Sequence, residues 1–161
     1  FKAMQMAIEK AEEYGIGWVS VKDSGHFGVA GLFPMMALEK DFIGSTITNS
    51  APMMAPYGGR ERILGNNPLS YAFPTGEYLP VVVDFSCSVV SSGKLILCRK
   101  KGEKIPLGWA YDKDGLPTED PYEGHEGMAG PLNAGSVLFI EALYIPGPFT
   151  SRQNGREYLM G

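Results

Sequence analysis

His26 stands in the stretch Asp23-Ser24-Gly25-His26-Phe27-Gly28-Val29-Ala30-Gly31, with glycines before and after it. An imidazole that titrates at about pH 6.5 can give and take a proton near neutrality. Glycine lets backbone approach a ligand closely and takes positive φ at no steric cost. Two readings of the stretch stay open: proton transfer to or from a substrate, or a tight turn whose histidine is a surface or capping residue. A second polar set closes an apolar run, where Val81-Val82-Val83 leads into Asp84-Phe85-Ser86-Cys87-Ser88. A carboxylate and hydroxyls at the end of a strand can meet a ligand. Ser86 or Ser88 can equally cap a helix running from Val89 to about Lys101. Between these two sets lie Asn49-Ser50-Ala51-Pro52, Pro56-Tyr57-Gly58-Gly59 and Gly65-Asn66-Asn67-Pro68, all of loop composition.

The elements that must position these groups follow from periodicity. Met4, Ala7, Ile8 and Ala11 mark one face of a helix over Lys2 to Glu13, with Gly15 as its C-terminal cap. Ile16 to Val21 reads as a buried strand leading into the histidine loop. Val29, Leu32, Phe33, Met36 and Ala37 recur at helical spacing. Pro34 lies inside that pattern, so the helix begins near Phe33 or bends there. Strands are expected over Phe42 to Thr48 and Leu69 to Phe73, and a strand or extended segment over Ile105 to Tyr111. The run Val81 to Val83 is expected to be buried on both faces. Asp112 to Gly115 is a turn, Thr118 to Pro121 a turn or cap, and His125 a solvated loop residue. The run Val137 to Ile145 fits helix or strand, and a frayed, irregular tail is expected over 146–161.

Composition narrows the function. The 161 residues suit one domain with a core, and 44% apolar with 20% charged residues is ordinary for a globular chain. The net charge of -4 and the single short basic run, Arg99-Lys100-Lys101, argue against a nucleic-acid surface. No apolar run is long enough to span a membrane. Cys87 and Cys98 fit reduced thiols in a cytoplasmic protein. With His26 and His125 they make no zinc spacing, and no metal site is expected. The glycine fingerprint of Rossmann nucleotide sites, the Walker loop and the Gly-x-Ser-x-Gly elbow are all missing.

A series of motifs does carry a resemblance. It runs through Ser24-Gly25-His26-Phe27-Gly28, Thr48-Asn49-Ser50, Pro56-Tyr57-Gly58-Gly59, Gly65-Asn66-Asn67-Pro68 and Asp84-Phe85-Ser86-Cys87-Ser88. It continues through Ile105-Pro106-Leu107-Gly108-Trp109-Ala110 and Asp114-Gly115-Leu116-Pro117-Thr118-Glu119-Asp120-Pro121. Each is weak alone. In this order the chain resembles the malate/L-lactate dehydrogenase family, kin of ureidoglycolate and sulfolactate dehydrogenases and distinct from the Rossmann-type enzymes.

The resemblance implies an α/β fold, a mixed sheet with flanking helices that binds a dinucleotide without a Rossmann motif. It implies a central cofactor-binding domain over 1–145, cut from a longer enzyme. The implied activity interconverts a 2-hydroxy acid and a 2-oxo acid with NAD or NADP, in a cytoplasmic homodimer. His26 would be the acid/base residue, and Ser50, Asp84, Phe85 and Ser86 would hold the cofactor. The backbone of the Pro56–Gly59 and Gly65–Pro68 loops would line the same cleft. Three departures are visible. The family's Ser-His-Gly…Arg segment for the substrate carboxylate is absent, Asn133-Ala134-Gly135-Ser136-Val137 lacks the family's lysine, and Gly65-Asn66 replaces Gly-Thr. The alternative is a non-catalytic nucleotide-binding or interaction module that retains the fold.

Overall fold

The computed structural model describes residues 1–130 and, as backbone, Ser151–Gln153 and Arg156–Tyr158. Its helices are α1 (Lys2–Tyr14), α2 (Ser92–Lys101) and α3 (Pro121–Glu126). Its strands are β1 (Gly44–Ile47), β2 (Pro52–Met54), β3 (Leu64–Gly65), β4 (Leu69–Phe73), β5 (Val81–Phe85), β6 (Ala110–Tyr111), β7 (Pro117–Thr118), β8 (Met128–Ala129), β9 (Ser151–Gln153) and β10 (Arg156–Tyr158). This is a mixed α/β fold with open sheets and flanking helices, as expected. The run Val137 to Ile145 lies outside the described residues. So does the expected tail over 146–161, apart from β9 and β10, which pair antiparallel. The described chain forms two compact units.

The first unit contains Phe1–Ile47 and Leu69–Phe85. α1 buries Ile8 and ends at Gly15, whose φ of 80° lets its N–H reach the Ala11 carbonyl at 2.8 Å. The strand expected over Ile16 to Val21 does not form. That run is irregular, with Ile16, Trp18 and Val21 exposed. The physical reason is Gly17, which lies directly against α1. A Cβ built there would sit 1.8 Å from the Ala7 carbonyl oxygen, so this run packs through backbone on a helix rather than joining a sheet.

The helical spacing after the histidine loop becomes two 3₁₀ segments, Ala30–Leu32 and Pro34–Lys40, instead of an α-helix. Pro34 has no N–H to continue an α-helical ladder, and it sits where proline is tolerated, at the first turn of the second segment. β4 is the centre of an antiparallel sheet in the order β1-β4-β5, with Gly44 opposite Ala72 and Ala72 opposite Val82. Met35 from the 3₁₀ segment closes a core with Ala72 and Val82. Only that face of β5 is buried. Val81 is 46% exposed, so the expectation of burial on both faces fails, as befits an antiparallel sheet covered on one side.

The second unit contains Thr48–Pro68 and the described residues from Ser86 onward. Its sheet runs β3-β2-β8-β6-β7, mixed because β2 and β8 are parallel while the other pairs are antiparallel. Val90, Leu95, Cys98, Ile105 and Ala110 form its core. Ile105 to Tyr111 supplies only β6 as strand. A turn at Pro106–Trp109, with Gly108 at φ 88°, interrupts the rest. α2 starts at Ser92 and its cap is Ser91, whose Oγ accepts from the Lys94 N–H at 3.3 Å. Ser86 and Ser88 therefore do not cap it. Arg99, Lys100 and Lys101 occupy its last turn, where cations suit the helix dipole. Asp120 caps α3 by accepting from the Tyr122 N–H at 2.7 Å, and His125 is half-buried in the last turn of α3 rather than in a loop.

Candidate functional site

The histidine loop belongs to the first unit. It turns at Asp23 (φ 56°) and at Gly28 (φ 90°). The Phe27 ring packs edge-on against Phe33 at 5.3 Å, and Phe33 in turn meets Phe1 at 5.2 Å. These rings anchor the loop beside His26 and leave His26 itself exposed. The Gly28 N–H donates to His26 Nδ1 at 3.1 Å. With Nδ1 acting as acceptor, the neutral ring carries its proton on Nε2.

Asp84 lies near the end of β5, half-buried. Its Oδ2 accepts from the Gly31 N–H at 2.7 Å. The carboxylate thus holds the start of the first 3₁₀ segment, and Gly31 admits it closely: a Cβ there would lie 3.0 Å from Oδ2. No hydrogen bond joins His26 to Asp84 among the described residues; Gly31, five residues after the histidine, is what ties its loop to the strand. Phe85 is half-buried and pairs in register with Leu69.

Ser50 and Ser86 belong to the second unit. The Ser50 N–H donates to Asn67 Oδ1 at 3.0 Å, and Ser50 Oγ accepts from the Asn66 N–H at 2.8 Å. From the other side the Cys87 N–H donates to the Asn66 carbonyl at 2.8 Å, and Ser88 Oγ bonds to Asn66 Oδ1. Cys87 Sγ lies 3.5 Å from the Asn67 carbonyl. Asn67 has φ 38°, a left-handed conformation that asparagine tolerates better than most residues. Gly65 must be glycine here, since a Cβ would lie 2.4 Å from both the Ser50 carbonyl and Asn67 Oδ1. Ser86 Oγ donates to the Ser88 carbonyl at 3.2 Å.

Sequence reasoning took only the backbone of Gly65–Pro68 into the site and missed the Asn66 and Asn67 side chains. The signal was there: an Asn-Asn-Pro run after glycine is turn chemistry in which side-chain amides bond nearby backbone. A shallow groove elsewhere in the second unit, beside Lys104, Thr118, Glu119, Asp120 and Tyr122, holds none of the candidate residues. Its polar groups are occupied: Lys104 on Glu119 at 3.1 Å and Thr118 on Glu123 at 2.7 Å. Lys40, whose ammonium is held above the usual lysine range by its hydrogen bond to Glu12, is also outside the site. Among the described residues no cluster of histidine, cysteine, aspartate and glutamate could hold a metal, and no helix is long and apolar enough to cross a membrane.

Residues 1–142 match the family model for malate/L-lactate dehydrogenase. Malate/(S)-sulfolactate dehydrogenase of Methanothermus fervidus is 43% identical over 96% of this chain and 46% of its own length. Malate dehydrogenase of Pyrococcus abyssi is 49% identical over 86% of this chain and 36% of its own. The solved sulfolactate dehydrogenase from Methanocaldococcus jannaschii superposes with a TM-score of 0.71 at 44% identity, over 82% of this chain and 38% of that one. The chain spans less than half the length of these relatives.

Proposed function

The chain belongs to the malate/L-lactate dehydrogenase family, and on that premise we propose that it carries the proton-transfer and cofactor-holding groups of an oxidoreductase interconverting 2-hydroxy and 2-oxo acids. The two relatives' names point to substrates with a second anionic group on the neighbouring carbon, as malate and sulfolactate have. The fold is that family's α/β type, and the chain carries no Rossmann glycine motif.

His26 supports the reading most directly. It is exposed, and the Gly28 N–H occupies Nδ1, so Nε2 is the nitrogen left for a substrate oxygen. In the reduction direction the carbonyl oxygen gains charge as its carbon gains hydride, and a proton must arrive there. The imidazolium of His26 gives that proton from Nε2. The charged ring also bears a proton on Nδ1, which excludes the bond from Gly28; giving up the Nε2 proton leaves the Nδ1–H tautomer, and the Gly28 bond forms again once the exposed ring has exchanged that proton with solvent for one on Nε2. Oxidation runs the same transfer backwards from the Nδ1–H tautomer, whose unprotonated Nε2 takes the hydroxyl proton.

NAD or NADP, when bound, supplies or accepts the hydride. The residues present fit such a group: Ser50 is exposed and its hydroxyl hydrogen has no partner among the described residues, and Asp84 keeps one carboxylate oxygen outside its bond to Gly31. Ser50, Asp84, Phe85 and Ser86 would hold it. A homodimer is proposed for the whole enzyme, and the free thiols of Cys87 and Cys98 suit a cytoplasmic one.

The test is a fluorescence titration with NADH and NADPH, alongside assays of malate and sulfolactate oxidation. Saturable binding of one cofactor together with turnover, and loss of turnover but not of binding in His26→Ala, is the expected result. Full turnover by His26→Ala would remove the histidine from the mechanism. Binding with no turnover of any 2-hydroxy acid by the wild type would favour a non-catalytic nucleotide-binding module.

A further inference from the structure

The hydrogen bonds around Ser50 leave a definite remainder. A backbone N–H can only donate, so the bond from the Ser50 N–H assigns Oδ1, not Nδ2, to that side of the Asn67 amide. The bond from the Asn66 N–H likewise makes Ser50 Oγ an acceptor there. Both acceptors of this pair are thus engaged within the turn. The Asn67 Nδ2 hydrogens and the Ser50 hydroxyl hydrogen have no partner among the described residues. Asn67 is half-buried and Ser50 is exposed, so the unspent donors are accessible. A turn whose acceptors are used internally and whose donors are not is suited to a ligand rich in acceptor oxygens.

We infer that Asn67 Nδ2 and the Ser50 hydroxyl act as a pair of donors to an acceptor oxygen of the bound dinucleotide, on a phosphate or on the nicotinamide carboxamide. This rests on the reading that the Ser50 segment holds NAD or NADP. Asn67 becomes a binding residue, and its left-handed backbone is what directs its amide at Ser50. Gly65, Asn66, Cys87 and Ser88 keep the pair in place without themselves needing to touch the ligand.

Asn67→Asp removes the donor. A carboxylate still accepts from the Ser50 N–H, and aspartate tolerates the left-handed conformation. The variant exchanges the Nδ2 donors for a negative charge facing an acceptor oxygen. Ser50→Ala is the second variant; it removes the hydroxyl from an exposed position and tests the pair with no added charge. NADH, or NADPH if that is the cofactor bound, is titrated into the full chain by nicotinamide fluorescence, and ADP-ribose by calorimetry. Circular dichroism and the thermal midpoint verify folding.

Both variants are expected to bind the reduced cofactor about tenfold more weakly or worse while staying folded. A parallel loss for ADP-ribose assigns the acceptor to a phosphate. A loss confined to the reduced cofactor assigns it to the carboxamide. Wild-type affinity in folded Asn67→Asp overturns the inference and leaves the dinucleotide reading standing. A folded wild type that binds neither reduced cofactor overturns both.

Discussion

The histidine loop and the Ser50 turn are built in opposite ways. Among the described residues His26 is exposed and held by a single short-range hydrogen bond from Gly28, with the aromatic packing of the next residue, Phe27, as its anchor. Ser50 and its partners form a mesh in which four backbone or side-chain bonds cross between segments distant in sequence. The contrast matches the two tasks. A proton-transfer group must change its hydrogen bonding in each cycle, and a lightly held ring does so at low cost. A group that binds a cofactor gains from being ordered beforehand, because less entropy is lost on binding.

The largest effect is expected at the histidine. His26→Ala should lower turnover by at least about 100-fold while NADH affinity stays unchanged, as read by steady-state kinetics and fluorescence titration. Gly65→Ala attacks the other side. Its Cβ would press into the Ser50 carbonyl and Asn67 Oδ1, so it should cost about 1–3 kcal/mol of stability and weaken cofactor binding. Denaturant unfolding and the same titration check both effects.

Asp84→Ala leaves the Gly31 N–H without its acceptor. It should cost about 1–2 kcal/mol and loosen the 3₁₀ segment after the histidine loop, visible as faster amide exchange at Gly31. The smallest effect is expected at Asp120→Ala, which removes the cap of α3. About 1 kcal/mol of stability should go, with cofactor affinity unchanged. A loss of affinity there would show that the mesh around Ser50 is less self-contained than its hydrogen bonds indicate.

Local patterns were legible wherever the deciding interaction is itself local. α1, its cap at Gly15, β4 and the turn at Asp112, whose Oδ1 accepts from the Asp114 and Leu116 N–H groups, follow from spacing and residue type. So does the interruption at Pro34. Neither Ser86 nor Ser88, the hydroxyls expected to cap a helix from Val89, caps α2: Ser88 is drawn to Asn66 and Val90, and the helix starts only at Ser92, behind Ser91. The apolar content of Ile16 to Val21 suggested a strand, yet hydrophobicity cannot say which backbone lies within reach to pair with.

By itself, then, the sequence determined the family, the order of its motifs, the first helix and the residue types available for proton transfer and cofactor contact. Only the tertiary structure decided which partner each polar group has. Asp84 finds Gly31 across 53 positions, and Ser50 finds Asn67 across 17. A helix or a turn is written in residues three or four apart, so its signal survives in a linear pattern. Partners brought together by packing leave no fixed spacing, and the burial and backbone geometry that select them exist only once the chain has folded.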